Sequence, residues 1–319
     1  MSTIPSITGT DLSIASLTDL NAYALGFCVT SGGGFAGTSP CAYTVSNGGI
    51  TGFDATRWLD SASGPSASTP QIAYMPVGGG KVGRLFSAWA EGTDLWIAEL
   101  QLAKDATSGN ISITGVVGNN RKSLVGITVA SSPAIAVVGH YVVAAYQLTN
   151  DHLDMAVSND LVSSPTEFTF TPVGGIIGTT GAPEMASAPP ALAANGGALY
   201  MAWKGFDSAA DKAINDISVG QYTLGSSTPV YKTSMAGLSA TGPAITYASG
   251  EPYLAYCQAG DQHLCTWPAS DWNKVSSTYL ADTTANPPSV CGSIDGTQLV
   301  LAWRGQDTQQ TANVSFEHL

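Results

Sequence analysis

The amino-acid sequence predicts an all-β fold, a six-bladed β-propeller with four strands in each blade. Three observations support this: a hairpin pattern that recurs along the chain, apolar and polar residues that alternate within short segments, and a composition rich in turn-forming residues. The 319 residues include 36 glycines and 17 prolines. Only 11% of the residues are charged, against about a quarter in ordinary globular proteins. This composition is typical of a β protein with many turns.

The recurring pattern is clearest in residues 187–207. An apolar strand opens at Pro190, a polar turn follows at Asn195-Gly196-Gly197, and a second apolar strand ends in Ala202-Trp203. Two strands and a tight turn predict a β-hairpin. Each repeat has a small residue followed by an aromatic near the end of its second strand. These marker aromatics, about 47 to 62 residues apart, are Phe27, Trp89, Tyr146, Trp203, Tyr256 and Trp303. Such a period indicates a solenoid or a propeller.

The last repeat offers only three strands before the chain stops. The N-terminal segment 3–8 precedes the first strand of repeat one and has no other assignment. It therefore predicts the missing fourth strand, which would close the ring, as radial β-architectures require. Residues 1–319 then form a single propeller domain. A β-sandwich is the alternative, but it would not require six similar units.

Charge and hydropathy exclude some partners. The formal net charge of −12 and the pI of 4.4 disfavour binding to nucleic acid or to an anionic membrane, because both rely on a positive field. The sequence has no run of about 18 apolar residues, and its first residues form neither a basic nor an apolar leader. We expect a soluble protein, cytoplasmic or released without a signal peptide, that does not insert into a membrane.

The five cysteines follow the repeat. Cys28 and Cys257 each come directly after a marker aromatic, and Cys41 and Cys265 lie in the next strand of the same repeats. Cross-strand disulfides at 28–41 and 257–265 are possible if the paired Cα atoms lie within about 7 Å. The alternative is that all are small buried residues in a reducing compartment. Cys291 has no partner and is expected to be a buried thiol.

The loops that join second to third strands carry most of the candidate site residues. Functional residues often occupy loops on a rigid scaffold, and in five of the six repeats an acidic residue follows the marker aromatic. Any single Asp here has an alternative role in turn formation. The polar candidates are Asp94, Asp151, His152, Asp207, Asp211, Asp261, His263, Arg304 and Asp307. The aromatic candidates are Trp58, Trp96 and Trp272, whereas the marker aromatics are expected in the core.

Carboxylates beside aromatic rings predict a carbohydrate site. Carboxylate and amide oxygens accept hydrogen bonds from sugar hydroxyls, while an aromatic face stacks on the apolar C–H groups of the ring. Several such pockets on one disc would turn weak single contacts into strong avidity. Because loop lengths differ between repeats, we expect fewer working pockets than blades.

The phrase at 187–205 resembles the repeat of β-propeller lectins of fungi and bacteria, including the Psathyrella-type and the Agrocybe N-acetylglucosamine-binding lectins. The resemblance covers most of the chain through the six repeats. It implies a lectin for terminal sugars, plausibly N-acetylglucosamine, with glycans as partners. The chain departs from the fucose-binding lectins, whose sites use a repeated Arg, because it has only four: Arg57, Arg84, Arg121 and Arg304.

Two alternatives to a lectin come from other classes, a sialidase-like glycoside hydrolase and a protein-interaction propeller. The repeated Ser-x-Asp-x-Gly-x-Thr-Trp box of sialidases is absent, as are the common nucleophile, phosphate-binding and zinc motifs. A pair of catalytic carboxylates stays open, because such pairs are assembled in space. The expectation is a protein that is not an enzyme and needs no cofactor or metal. Neither the sugar nor the oligomeric state is predicted.

Overall fold

The computed structural model describes residues 2–4, 12–30, 38–46, 68–78, 81–165, 168–178, 181–210, 212–269, 278–306 and 312–319. Within these ranges the chain forms strands and turns and has no α-helix. No described helix could therefore cross a membrane. The all-β propeller fold predicted from the sequence is confirmed.

The described strands form six antiparallel sheets, numbered here by repeat. Sheet 1 contains β2 (Leu12–Leu17), β3 (Ala22–Thr30) and β4 (Thr38–Ser46), and sheet 2 contains β5 (Gln71–Met75), β6 (Arg84–Glu91), β7 (Asp94–Lys104) and β8 (Ile111–Thr128). Sheet 3 contains β9 (Ala134–Val138), β10 (Tyr141–Gln147), β11 (Leu153–Ser158) and β12 (Phe170–Gly175). Sheet 4 contains β13 (Ala191–Asn195), β14 (Ala198–Asp207), β15 (Lys212–Thr223) and β16 (Tyr231–Met235).

Sheet 5 contains β17 (Ala244–Ala248), β18 (Glu251–Cys257), β19 (His263–Pro268) and β20 (Thr278–Thr283). Sheet 6 contains β21 (Ser289–Gly292), β22 (Gln298–Arg304), β23 (Ala312–His318) and, at its outer edge, β1 (Ser2–Ile4). The described backbone of β1 runs antiparallel to β23, with Ser2 opposite Val314 and Ile4 opposite Ala312. Five of these sheets have four described strands each, whereas the described part of repeat one forms a sheet of three.

The first strands of the six sheets contact one another in cyclic order, from β2 through β5, β9, β13, β17 and β21 back to β2. Within sheets 2 to 5 the order in space follows the order in sequence, so each fourth strand lies outermost. The connections between first and second strands include a glycine at positive φ in five sheets, among them Gly78 of sheet 2, with a φ of 66°. The other four are Gly139, Gly196, Gly250 and Gly296, with φ between 58° and 92°. Glycine adopts this conformation without the steric cost that other residues carry.

The hydrophobic core lies between neighbouring sheets. Six apolar clusters each join two adjacent sheets, and each contains one marker aromatic. All six marker aromatics are 0 to 1% exposed, so their predicted place in the core is confirmed. Burying an aromatic of this size contributes several kcal/mol, since truncating one to Ala costs about 3 to 5 kcal/mol.

The cysteines of repeat five are free thiols, so the considered 257–265 disulfide does not form. Their register explains this. Cys257 lies opposite Leu264 and Cys265 lies opposite Tyr256, one position apart. Successive side chains of a strand point to opposite faces, so the two sulfur atoms lie on different faces of sheet 5. In sheet 1 the backbone places Cys28 opposite Pro40 and Cys41 opposite Phe27.

We expect the thiols of Cys257, Cys265 and Cys291 to be unreactive in the native protein. All three are buried, and burial raises the pKa of Cys257 to about 11 and raises that of Cys291 as well, so little thiolate forms. Iodoacetamide at pH 8 followed by peptide mapping should find these three unmodified, and fully modified after denaturation. Rapid native labelling of Cys257 or Cys265 would contradict the packing described here.

Candidate functional site

One register position recurs in sheets 2 to 5, where the third strand pairs with the residue that follows the marker aromatic. The residue after each marker aromatic pairs with an apolar residue of the third strand: Ala90 with Leu95, Gln147 with Leu153, Lys204 with Ile217, and Cys257 with Leu264. The residue just before each of these apolar partners is Asp94, His152, Asp216 and His263. Three predicted site residues therefore occupy equivalent places. In sheet 4 the equivalent residue is Asp216, which the sequence pattern missed.

Several of the predicted acidic residues shape turns. The Asp207 carboxylate accepts hydrogen bonds from the backbone N–H groups of Ala209 at 3.0 Å and Ala210 at 3.1 Å. Asp261 accepts one from the N–H of His263 at 3.2 Å. Asp151 has a φ of 66° and accepts a hydrogen bond from Gln147 Nε2 at 2.8 Å. These contacts give each Asp a structural role, and their role in ligand binding stays a prediction.

The remaining candidates are scattered around the ring. His152 is half-buried, Asp94 is exposed at the start of β7, and His263 Nδ1 lies 3.2 Å from the carbonyl of Leu280. The backbone N–H of His263 contacts Asp261, but among the described contacts no single cluster brings all three residues together with Asp207. Four further candidates lie outside the described residues: Trp58, Asp211, Trp272 and Asp307.

Arg304 occupies a position with a recurring structural role, directly after a marker aromatic. In three other sheets the residue at this position reaches the segment that leads into the next sheet. Gln147 Nε2 donates to the carbonyl of Ala186 at 2.7 Å, Lys204 Nζ to that of Ala240 at 2.8 Å, and Cys257 Sγ to that of Thr284 at 2.8 Å. Burial lowers the pKa of Lys204. The register of Arg304 therefore favours a contact between sheets over a contact with ligand.

A cavity of about 230 Å³ opens in sheet 4, beside the segment that arrives from sheet 3. Trp203 of β14 lies against it, and Asp216 and Ser218 of β15 and Ser234 of β16 contribute polar groups. Ser218 and Ser234 share a hydrogen bond of 2.8 Å, and Asp216 Oδ1 accepts one from the N–H of Gly237 at 2.9 Å. The rest of the lining is Pro183, Glu184, Met185, Gly205, Phe206, Ser208 and Ile214. We refer to this as the sheet 4 cavity.

An ion pair borders the sheet 4 cavity. Lys232 Nζ of β16 hydrogen-bonds to the carboxylate of Glu184, and both side chains are largely buried. The same ammonium group lies 5.3 Å from the ring centre of Trp203. A cation over an aromatic face is attracted by the electrons of the ring, and the carboxylate neutralises its charge. The cavity thus has two carboxylates, three serine hydroxyls and an aromatic wall within one small space.

Sheet 2 repeats this arrangement with one decisive change. Arg121 pairs with Ala98 on the neighbouring strand as Lys232 pairs with Gly220, so the two cations are equivalent. Arg121 Nη2 lies 3.0 and 3.2 Å from the two oxygens of Glu91, and its guanidinium lies 5.5 Å from the ring centre of Trp89. Trp96, a predicted stacking residue, pairs with its marker aromatic as Ser218 does in sheet 4. Its ring centre lies 4.2 Å from the guanidinium carbon of Arg121. The large Trp96 side chain thus occupies, in sheet 2, the space that stays open beside the small Ser218 side chain in sheet 4.

The same register holds Asp154 in sheet 3 and Cys265 in sheet 5, opposite their marker aromatics. Asp154 is half-buried beside Tyr146, and burial raises the pKa of this carboxyl, although the N–H of Met155 at 2.8 Å partly offsets the effect. The four repeats therefore present Trp, Asp, Ser and Cys at one structural position. Their pockets cannot be equivalent.

We expect Asp154→Asn to stabilise the protein at neutral pH. A carboxyl whose pKa is raised on folding binds its proton more tightly in the folded state, so stability falls as pH rises from the unfolded pKa through the folded one. Asn keeps the acceptor for Met155 and carries no charge. Urea unfolding should show the gain at pH 7 and its loss as the pH falls below 4. A gain that is independent of pH would contradict this account.

Sequence reasoning missed Asp216, Ser218, Lys232, Ser234 and Glu184. An acidic residue does follow the marker aromatic in repeat four at the equivalent position, but the longer hairpin changes its distance along the sequence. Asp94 follows Trp89 by 5 residues, whereas Asp216 follows Trp203 by 13, because the β14–β15 hairpin extends further. Counting from the marker aromatic selects Asp207, and only strand pairing identifies Asp216. Among the described residues, no group of three His, Cys, Asp or Glu side chains is arranged to hold a metal ion.

Comparisons with known proteins support the fold. No protein-family model matches the chain, and no curated protein matches it significantly in sequence. The Trypanosoma rangeli sialidase in complex with the inhibitor DANA superposes with a TM-score of 0.60 at 9% identity, over 98% of this chain and 55% of the sialidase chain. This chain thus spans about half the length of that protein. AofleA from Arthrobotrys oligospora has a TM-score of 0.56 at 7% identity, over 98% of this chain and 86% of that one.

Such identities establish a shared fold and leave function to the site. They do correct one expectation. The inference that this chain is not an enzyme is wrong, because sialidases, one of them in complex with sialic acid, share its propeller fold. The missing sialidase box in the sequence does not exclude enzymatic activity on this fold.

Proposed function

We propose that this protein binds carbohydrate and that the sheet 4 cavity is a sugar site. The observation that carries the proposal is the combination of Asp216, Ser218 and Ser234 with an aromatic wall in one cavity. Carboxylates and hydroxyls are the groups that recognise sugar hydroxyls, and aromatic rings contact the apolar sugar face. Trp203 is almost fully buried, whereas Phe206 is half-buried and accessible from the cavity.

The size of the cavity supports a small ligand. At about 230 Å³ it lies below the range of about 300 to 1,000 Å³ typical of drug-sized ligands, and it suits a single sugar residue. The lectin resemblance makes N-acetylglucosamine the first candidate. A single shallow site of this kind binds weakly, and further pockets in other repeats would be needed for avidity. Because Trp, Asp and Cys replace Ser218 in sheets 2, 3 and 5, we propose that the pockets of those sheets differ in ligand or are closed.

Glycoside hydrolysis in the same cavity is a second candidate function. Glu184 and Asp216 both line the cavity, and hydrolysis of a glycosidic bond commonly uses two carboxyl groups on either side of it. Lys232 pairs with Glu184, while the N–H of Gly237 binds one oxygen of Asp216. The two carboxylates thus have different environments, as a division into acid and base or nucleophile requires.

A glycan array with the purified chain, followed by calorimetry with competing monosaccharides, tests the first candidate. We expect selective binding that one free monosaccharide competes. A panel of fluorogenic glycosides tests the second, with Asp216→Asn as the control that should lose turnover. No binding on the array together with no turnover of any glycoside would overturn the proposal and favour a protein-binding propeller.

We also propose that the six sheets are the blades of one closed domain, with β1 as the outer strand of the last blade. The cyclic contacts of the first strands and the register of β1 on β23 support this. Removing residues 1–10 exposes the edge of β23, so we expect a lower unfolding temperature. An unchanged unfolding temperature would contradict closure by β1.

A further inference from the structure

A larger cavity lies between sheets 2 and 3, at the end of the ring away from the sheet 4 cavity. It has a volume of about 590 Å³. Its walls come from the turns that join first to second strands and third to fourth strands, whereas the sheet 4 cavity lies where second strands lead into third ones. Its lining is Met75, Pro76, Val77, Lys81, Arg84, Glu99, Val117, Asn120, His140, Leu161, Val162 and Pro165. We call it the sheet 2–3 cavity.

The floor of the sheet 2–3 cavity is a buried polar network. Arg84 donates from Nε to Glu99 Oε1 and from Nη2 to Glu99 Oε2, both at 2.7 Å. Asn120 Nδ2 donates to the same carboxylate at 2.8 Å, and Arg84 Nη1 donates to the carbonyl of Leu161 in repeat three at 2.8 Å. Only two of the five N–H groups of Arg84 are left without these partners.

The network has an evident structural role, because it ties sheet 2 to sheet 3. That role explains Arg84 and Glu99, but it does not explain the open volume above them or its apolar walls. Val77 is 42% exposed and Val162 is 54% exposed, both on the cavity wall. Exposed apolar side chains around a few buried polar groups are typical of a ligand site.

One lining cation of the cavity, Lys81, has no carboxylate partner among the described ion pairs, in a chain whose formal net charge is −12. Its lining includes two cations, Lys81 and Arg84, and one carboxylate, Glu99, which Arg84 already neutralises. Lys81 is exposed and forms no ion pair within the described part of the chain. His140 lies 3.7 Å from Asp160, which is itself outside the lining. The site therefore favours an anion.

We propose that the sheet 2–3 cavity binds an amphipathic anion, a small molecule with an apolar body and one carboxylate. The apolar body contacts the Val, Pro and Met walls, and the carboxylate lies near Lys81 with the free N–H groups of Arg84 within the same lining. A fatty acid of medium chain length has this chemistry and fits the volume. This site is independent of the proposed sugar site, since the two share no lining residue.

Calorimetry with sodium decanoate, well below its aggregation concentration, tests the proposal on the full chain. We expect saturable binding at one site, weakened by added salt as for any exposed ion pair. Lys81→Glu should weaken it about tenfold, equal to about 1.4 kcal/mol. Val162→Asp, a change at an exposed position, should weaken it as well. Lys104→Glu, an exposed lysine outside the cavity, is the matched control and should bind as the unaltered protein does.

Absence of saturable binding, or equal binding by the Lys81→Glu, Val162→Asp and unaltered proteins, would overturn the proposal. A neutral probe of the same length, decanol, separates two explanations. If decanol binds as well as decanoate, the apolar walls alone attract ligand and the anionic preference is wrong. Glycan binding, measured in parallel, should be unchanged in all of these variants.

Discussion

Ser218→Trp is expected to abolish sugar binding at the sheet 4 cavity. The new ring would fill the cavity as Trp96 fills the equivalent place in sheet 2. Because the same framework already accommodates Trp at this register, the protein should still fold. We expect affinity for the sugar selected on the array to fall at least about tenfold, equal to about 1.4 kcal/mol. Calorimetry measures it, and thermal unfolding reports on the fold.

Thr223→Trp provides the matched control. Thr223 ends the same strand, β15, and is exposed away from the cavity. The Thr223→Trp protein should bind sugar with the affinity of the unaltered protein. Asp216→Asn gives a second test that changes almost no volume, and it should also weaken binding. Normal affinity in both Ser218→Trp and Asp216→Asn would place the sugar site elsewhere on the molecule.

Of the variants proposed here, Glu99→Leu is expected to lose the most stability. The Arg84 and Glu99 side chains are 16% and 8% exposed, and removing the carboxylate leaves the guanidinium buried without its partner. Breaking a buried ion pair in this way costs about 3 to 5 kcal/mol. The contact between sheets 2 and 3 through Leu161 should weaken with it. Urea unfolding followed by tryptophan fluorescence measures the change.

The double variant Arg84→Met/Glu99→Leu separates charge burial from packing. Replacing both partners by apolar residues of similar size is often nearly neutral, so most of the loss should be recovered. Lys122→Met is a control, since Lys122 is exposed on the neighbouring β8. Equal destabilisation in the single and double variants would show that shape, and not the unpaired charge, dominates.

The framework of the fold was predictable from the sequence because its determinants are local. A hairpin such as 190–204 combines alternating apolar residues, a Gly-containing turn and an aromatic at the end of the second strand. The burial of all six marker aromatics follows from that pattern. Strand pairing within a repeat depends on residues close in sequence, so the repeated phrase was enough to predict an all-β propeller.

The candidate site was less predictable because pockets depend on register across strands. Asp207 follows Trp203 closely and was an obvious candidate, yet it stabilises its own hairpin turn. Asp216 lies further along and reaches the cavity only through the pairing of Lys204 with Ile217. Glu184 belongs to the segment between two repeats, which no motif within a repeat includes. The ion pair of Arg84 and Glu99 could not be predicted from the sequence either, since it joins two strands that share no motif.

The position shared by Trp96, Asp154, Ser218 and Cys265 has a consequence for how such a protein can evolve. Each of these side chains lies opposite its own marker aromatic, and the six apolar clusters are separate from one another. A substitution at this position changes the pocket of one sheet and extends no further than the one neighbouring sheet that shares its apolar cluster. Duplicated units can therefore acquire, lose or exchange ligands one at a time, while the ring that holds them is inherited unchanged.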